Sequence, residues 1–398
     1  MEEALDKIHT EHLGIHSLNR YAMHNSSARN AMFGSHLGQR LVIEGADESI
    51  IQTGIEQDFA KYTFSIKMPV DARVIKVIQK YPKGIDIDSL SFNPETLVIY
   101  ENDQTKEIDY VLIPYYASHH QLFGYKHVIK DSVKLLKTGA FIPKDTIFAD
   151  TPSVTENNGF CYGVNLNTAF TTIPSVSEDG IMIADDVLDK LKFRVYETRI
   201  VEVGSNYFPL NMYGESNRYQ PFPEIGSEIR KDGILMMLRS FTPETAPVDM
   251  SSFDLMEPDN MFDTATYVRG HGGKIVDIEV ISNNNLNKNL PDGMKKQLNK
   301  YRDALLKYKQ EIVDTYKAIS KEHKSKFGDA NVRISPKLNR LMVECLAILN
   351  YTTPKIKNNL QLLYRKAPLN EYRIKFVVEY VIKPTIGFKI TCTNGGSY

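Results

Sequence analysis

The run Ser177-Glu178-Asp179-Gly180-Ile181-Met182-Ile183 sets two adjacent carboxylates between a turn-rich stretch and an apolar one. Loop-tip carboxylates can converge on a divalent cation while the flanking chain fixes their position, so this order suits a metal and phosphate site; a solvated acidic turn is the plain alternative. Other groups are less complete. His9, His12 and His16 stand at helical spacing and could face a metal, or could simply line the flank of a helix. His119-His120 follows a Tyr-rich strand end with nothing nearby to complete a ligand set. Gly270-His271-Gly272-Gly273 could cradle phosphate, but it precedes a strand where a phosphate loop precedes a helix, which favours a tight turn. There is no nucleophile-elbow Gly-x-Ser-x-Gly and no Gly-Lys-Ser/Thr phosphate loop.

The elements that must position these groups are read from pattern. With 398 residues and 42% hydrophobic content, the chain has room for two or three domains, each with its own core. A formal charge of −1 gives no whole-chain pull toward nucleic acid, although a basic face can hide in a balanced total. Cys161, Cys345 and Cys392 are isolated, which excludes a zinc knuckle or disulfide framework and fits a reducing compartment. No apolar run approaches the roughly 20 residues of a membrane helix, and the acidic amino terminus is unlike a signal peptide, so a soluble, cytoplasmic protein is expected.

Residues 1 to about 40 read as helical, with a start signal at Ser26-Ser27. From Leu41 to about Gln220 short β-type runs dominate, among them Tyr62–Ile66, Ala72–Ile78, Thr96–Tyr100, Tyr162–Phe170, Ile181–Ile183 and Val195–Val201. Pro221-Phe222-Pro223 suits a boundary, and further strands are expected at Gly233–Leu238 and Gly273–Val280, with a surface loop over residues 243–263 between them. A Lys-rich helix over Gly293–Phe327 carries Leu298, Tyr301, Leu305, Tyr308, Ile312 and Tyr316 at helical spacing, and a second follows over Pro336–Asn350. Tyr372–Ile382 returns to strand before Lys383-Pro384.

Taken in order, six segments resemble one family, the β (second-largest) subunit of multisubunit DNA-dependent RNA polymerases. Ser27-Ala28-Arg29-Asn30 with Gly38-Gln39 is similar to its Ser-Pro-Arg-Asn stretch ending in Gly-Lys-Gln, and Thr53-Gly54-Ile55-Glu56 to its Thr-Gly-Met-Glu. Gly163-Val164-Asn165 through Glu178-Asp179 resembles the Gly-x-Asn strand that runs into Asn-Phe-Glu-Asp. Gly233 to Thr242-Pro243 resembles the start of the flap, or wall; Gly273 to Val280 its Gly-x-Val-x-Asp-Val strand; and Pro384 to Lys389 its Pro-Gln-Ile-Gly-Asp-Lys. The likeness spans most of the chain. It departs at the end, where Thr393, Asn394 and Ser397 replace the arginine, histidine and second lysine of the family's Arg-His-Gly-x-Lys-Gly.

The resemblance implies one piece of a split, bacteriophage-type β subunit, active as a DNA-directed RNA polymerase only within a multisubunit complex. The implied fold is mixed and β-rich (α+β), part of a double-psi β-barrel hybrid-binding region with an inserted flap or wall domain carrying a helical hairpin. The expected parts are an active-centre-proximal helical segment over 1–60, a hybrid-binding barrel region over 61–223, a flap over 224–370 with its hairpin at about 293–350, and a return to the barrel over 371–398. By resemblance Asp179, with Glu178 beside it, assists the second Mg²⁺ directly or through water, the first ion being held mainly by the largest subunit. Arg29 reaches the triphosphate, Lys389 the reacting phosphate or RNA end, and Gln39 the transcript end. Implied partners are the remaining polymerase subunits, the DNA template, the RNA–DNA hybrid, nucleoside triphosphates and a transcription factor at the flap. The implied location is the host cytoplasm, or the virion if the enzyme is packaged. A chain split from its barrel partner should expose sheet edges and apolar surface. Two competing readings are a non-enzymatic phage structural or scaffold protein and a polymerase-derived subunit without catalytic contacts.

Overall fold

Leu97-Val98-Ile99-Tyr100 is a continuous apolar run, and all four side chains are buried because both faces of its sheet are covered. The computed structural model of the chain describes residues 14–82, 93–120, 123–176, 180–204, 206–240, 263–269, 272–282, 290–327, 333–349 and 372–392. After β1 (Ile66–Lys67), strands β2 (Ala72–Gln79), β3 (Glu95–Asn102) and β4 (Ile108–Pro114) form an antiparallel meander, joined later by β8 (Phe141–Ile142) in the order β4-β3-β2-β8. Val98 and Tyr100 face one core with Val74, Val111 and Phe148, while Leu97 and Ile99 face another with Ile78 and Ile108. That alternation is the period-two pleat of a strand buried on both sides.

A second, five-stranded sheet is built from distant pieces of the chain. Its strands are β5 (Tyr116–His120), β6 (Phe123–Lys126), β10 (Phe193–Val203), β14 (Lys274–Ser282) and β15 (Tyr372–Ile382), in the order β14-β15-β10-β6-β5. β10 and β15 pair antiparallel along their full lengths, from Phe193 opposite Ile382 to Val203 opposite Tyr372. The sheet curls into a half-barrel, and a bulge between Ile275 and Asp277 interrupts the β14–β15 register. Smaller three-stranded sheets join β1, β9 (Ile147–Asp150) and β7 (Val128–Ile129), and β11 (Tyr207–Pro209), β12 (Ile234–Ser240) and β13 (Asp263–Tyr267). The protein is therefore mixed α+β and strand-rich, as its sequence pattern indicates.

The helices, numbered along the chain, are α1 (Ser27–Gly38), the short α2 (Glu56–Ala60) and α3 (Asp185–Leu188), the long α4 (Asp292–Phe327) and α5 (Pro336–Ile348). At 36 residues, α4 is about 54 Å long. Its amino-terminal half sets Met294, Leu298 and Tyr301 against Ile278, Phe376 and Val378 of the five-stranded sheet. Its later turns set Tyr308, Ile312 and Val313 against Ile78, Leu97 and Ile99, where α5 adds Leu338 and Cys345. One amphipathic helix thus serves two sheets, and the expected helical pair packs on β2–β4. Among the described residues no helix is long and apolar enough to cross a membrane.

Three expected elements differ. Tyr62–Ser65 is turn and irregular chain, with β1 beginning only at Ile66; Tyr162–Phe170 is irregular, with only an isolated bridge from Gly163 to Asp47; Ile181–Ile183 is not a strand. Alternating side chains make a strand only when another strand answers the backbone donors and acceptors, and none does so here among the described residues. Residues 1–13, carrying His9 and His12, lie outside the described residues, as do 241–262 of the expected loop and the departures at 393–397.

Candidate functional site

Glu178 and Asp179 lie outside the described residues; the chain is anchored farther off on either side, at Asn165 and at Lys190–Phe193. On the upstream side, Asn165 donates from Nδ2 to the Glu48 carbonyl at 2.7 Å, its backbone N–H donates to Asp47 Oδ2 at 3.3 Å, and its Oδ1 accepts from the Ile50 N–H at 3.4 Å. This gives the Gly-Val-Asn motif a local cause: the asparagine fastens an otherwise unpaired segment to the loop of residues 43–51. On the downstream side, the Glu44 N–H donates to the Lys192 carbonyl at 3.0 Å, Lys190 Nζ lies 3.8 Å from Asp47, and Ile43 bridges to Phe193. Gly45 permits this approach, since a Cβ there would fall 2.7 Å from the Lys190 carbonyl oxygen. Both flanks of the acidic pair are therefore tied to one loop.

Arg29 and Gln39 belong to the neighbouring helix. Ser26 caps α1 by accepting from the Arg29 backbone N–H at 3.2 Å. Asn30 turns inward, donating to the Ala22 carbonyl at 3.0 Å and accepting from Asn19 Nδ2 at 2.8 Å. Arg29 is exposed, and Gln39, at the helix end, is exposed too. Lys389 follows the Gly387 turn (φ 97°), where Phe388 meets Phe193 with ring centroids 6.0 Å apart and Lys383 pairs with Asp189 at 2.6 Å. Neither Arg29 nor Lys389 has a carboxylate within ion-pair distance among the described residues, so both cations are open to an anion. The fold thus joins the Lys389 turn, the flanks of the acidic pair and the 43–51 loop through direct contacts, and that loop follows α1 by only a few residues.

The same segments expose large apolar side chains. Leu166 is 42% exposed, Phe170 101%, Met182 59% and Ile386 106%. Large apolar side chains exposed to this degree on backbone outside any strand suit coverage by another chain.

Thr53-Gly54-Ile55-Glu56 is a closed structural turn. Glu56, 3% exposed, accepts from the Thr53 N–H at 2.8 Å, from Thr53 Oγ1 at 3.2 Å and from the Gly54 N–H at 2.9 Å. Burial opposes its charge, but these hydrogen bonds outweigh it and hold the carboxyl below its ordinary range. A depressed native value means that its stabilisation is present above the ordinary carboxylate range and lost as pH falls through the native value. Glu56→Gln is expected to cost about 1–3 kcal/mol at pH 7, and the gap should close in acid; urea unfolding of both forms at pH 7 and pH 4 measures it.

Two buried networks escaped the sequence pattern. Lys80 Nζ sits 2.6 Å from Asp277 and 2.8 Å from Glu279, which Lys375 also approaches at 3.3 Å. Arg194 pairs with both Glu44 and Glu379, while Glu379 also accepts from Tyr196 at 2.7 Å and Tyr115 at 3.2 Å. The available signal was a charge inside an apolar strand, as at Asp277 in Lys274–Ser282 and Glu379 in Tyr372–Ile382. The first network clamps the four-stranded sheet to the five-stranded one; the second ties the 43–51 loop to β10 and β15. Of the other candidates, His16 Nδ1 donates to the Asn30 carbonyl at 3.2 Å, and His119 stacks among Phe64, Phe123 and Tyr125. Among the described residues no group of three His, Cys, Asp or Glu could hold a metal ion.

Comparison with protein-family models and with curated proteins found no match.

Proposed function

We propose that this chain is a piece of the β subunit of a multisubunit DNA-directed RNA polymerase, probed best as part of its complex. The observation that carries the reading is the order of six family-like segments along the sequence. It is supported by where three of them lie: the 43–51 loop, a few residues beyond α1, contacts the Gly163–Asn165 segment and Phe193, on which Phe388 of the Pro384–Lys389 turn packs. In this reading Asp179 and Glu178 supply oxygen ligands to a Mg²⁺ that accompanies the incoming triphosphate, a hard cation that oxygen donors suit. Arg29 meets the triphosphate with its planar fork, and Lys389 sets a compact charge near the reacting phosphate. Gln39 positions the transcript end. The finer architecture, a double-psi barrel completed by a partner with an inserted flap, belongs to the same proposal, and the exposed apolar segments are where partner subunits would close over it. Transcription of viral genes in a host cytoplasm is the corresponding setting.

The test is purification of the chain with its associated proteins, followed by template-dependent RNA synthesis. Association with other polymerase subunits and template-directed incorporation are expected. A complex of capsid or scaffold proteins that makes no RNA would overturn the reading in favour of a structural role.

A further inference from the structure

Arg20 and Arg40 each pack on one ring of an aromatic pair, and neither meets a carboxylate within ion-pair distance among the described residues. The Arg40 guanidinium lies 4.9 Å from the Phe160 ring centroid and donates from Nη1 to Ser153 Oγ at 3.2 Å. The Arg20 guanidinium lies 5.6 Å from the Tyr162 centroid and donates from Nη2 to the Tyr162 hydroxyl at 3.0 Å. The two rings are 5.8 Å apart, so the cations sit on adjacent platforms. Arg20 Nε is buried without a hydrogen-bond partner. Burial also pushes Arg40 down to about 10, the mark of a desolvated charge that lacks a compensating anion. Of the nearby acids, Glu56 is held by Thr53 and Gly54, and Glu48 lies beside Gly159 without an ion pair to either arginine among the described residues.

Two largely desolvated guanidinium groups cost stability unless something pays back their hydration, and stacking on a ring returns only part of it. Both residues nevertheless remain partly exposed. A tetrahedral oxyanion suits these groups, because each guanidinium keeps N–H donors beyond the one given to Tyr162 or Ser153. Arg40 directly follows Gln39, at the end of α1. We infer that Arg20 and Arg40, backed by Tyr162 and Phe160, form a phosphate clamp. Its natural occupant, resting on the polymerase reading, is a backbone phosphate of the RNA strand; the anion site itself does not depend on that reading.

The purified full-length chain is titrated with inorganic phosphate, pyrophosphate and a labelled single-stranded RNA oligonucleotide, with binding read by thermal shift and fluorescence anisotropy. Arg40→Gln is expected to weaken RNA binding roughly 10-fold or more, and Arg20→Gln/Arg40→Gln to abolish it, with a shallower salt dependence. Lys137→Gln, an exposed charge removed elsewhere, should change nothing. Arg40→Lys keeps charge and stem but loses the fork, so it should remain folded and still bind weakly. Pyrophosphate binding equal to that of RNA would assign the clamp to free or nucleotide phosphate; RNA binding alone would assign it to the strand. Wild-type chain that binds none of the three anions, or folded variants that bind as wild type does, would show that the arginines only pack on the rings. Clamp variants that lose binding while the wild-type complex makes no RNA would leave the clamp standing and remove the polymerase reading.

Discussion

Asp179→Ala, introduced into the assembled complex, is expected to leave subunit association unchanged and to slow RNA elongation by roughly a hundred-fold or more. The effect should fall on the chemical step, because the carboxylate is proposed to meet charge that develops as pyrophosphate departs. Raising nucleotide concentration should then fail to restore the rate, whereas added Mg²⁺ should restore part of it. Asp179→Glu keeps the charge and shifts it by one methylene, so its defect should be smaller. Elongation measured on a preformed RNA–DNA scaffold separates this step from promoter recognition. Normal elongation by Asp179→Ala would remove the catalytic assignment. The anchoring of Asn165 and Gly45 adds a geometric check. Substitution at Asn165, which touches the 47–50 backbone and no proposed substrate, should lower the same rate through misplacement of the segment.

Lys80→Met is expected to destabilise the fold by about 3–5 kcal/mol, because it strands the buried Asp277 carboxylate and leaves the partly exposed Glu279 to Lys375 alone. Lys80 is 4% exposed and Asp277 6%. Burial alone would discharge Lys80, yet Asp277 and Glu279 more than offset this and raise it well above the ordinary lysine value. Its contribution is thus complete below the ordinary lysine range and lost only as pH rises through the raised native value. Burial and the nearby Glu279 push Asp277 up, while Glu279 is driven down to about 2: burial opposes its charge, but Lys80 and Lys375 outweigh it. The Glu279 contribution is therefore present above the ordinary carboxylate range and fades as pH falls toward 2. Lys80→Met/Asp277→Asn should recover much of the loss, since it removes a stranded charge along with the cation. Urea unfolding of the two variants at pH 7 measures both effects. Equal stability of Lys80→Met and wild type would mean that water already compensates the acids.

Much of the molecule could be read before its structure. β2, β3, β10, β12, β14, β15 and both long helices fall where apolar period and turn residues set them. Those are local signals: Leu298, Tyr301, Leu305, Tyr308 and Ile312 make one helical stripe whatever they pack against, and each is nearly fully buried. The Arg29-Asn30 pair was legible as a motif, but the division of labour within it was not. The structure turns Asn30 inward to Asn19 and Ala22 and leaves Arg29 outside. Tyr162–Phe170 shows the opposite failure. Its alternation matches a strand, yet a strand needs a partner, and pattern does not say whether one is supplied.

By itself, then, the amino-acid order determined the long helices, the longest strands and a set of collinear motifs, because these depend on neighbours within a few residues; the short strands, among them β5 to β9, β11 and β13, it did not mark. Only tertiary structure decided that β10 pairs with β15 across the chain, that Lys80 meets Asp277 and Glu279, that one helix spans two sheets, and that Arg20 and Arg40 share an aromatic platform. Each joins residues far apart in sequence. A buried charge or an unpaired cation acquires its meaning from what burial brings beside it, and that proximity exists only once the chain has folded.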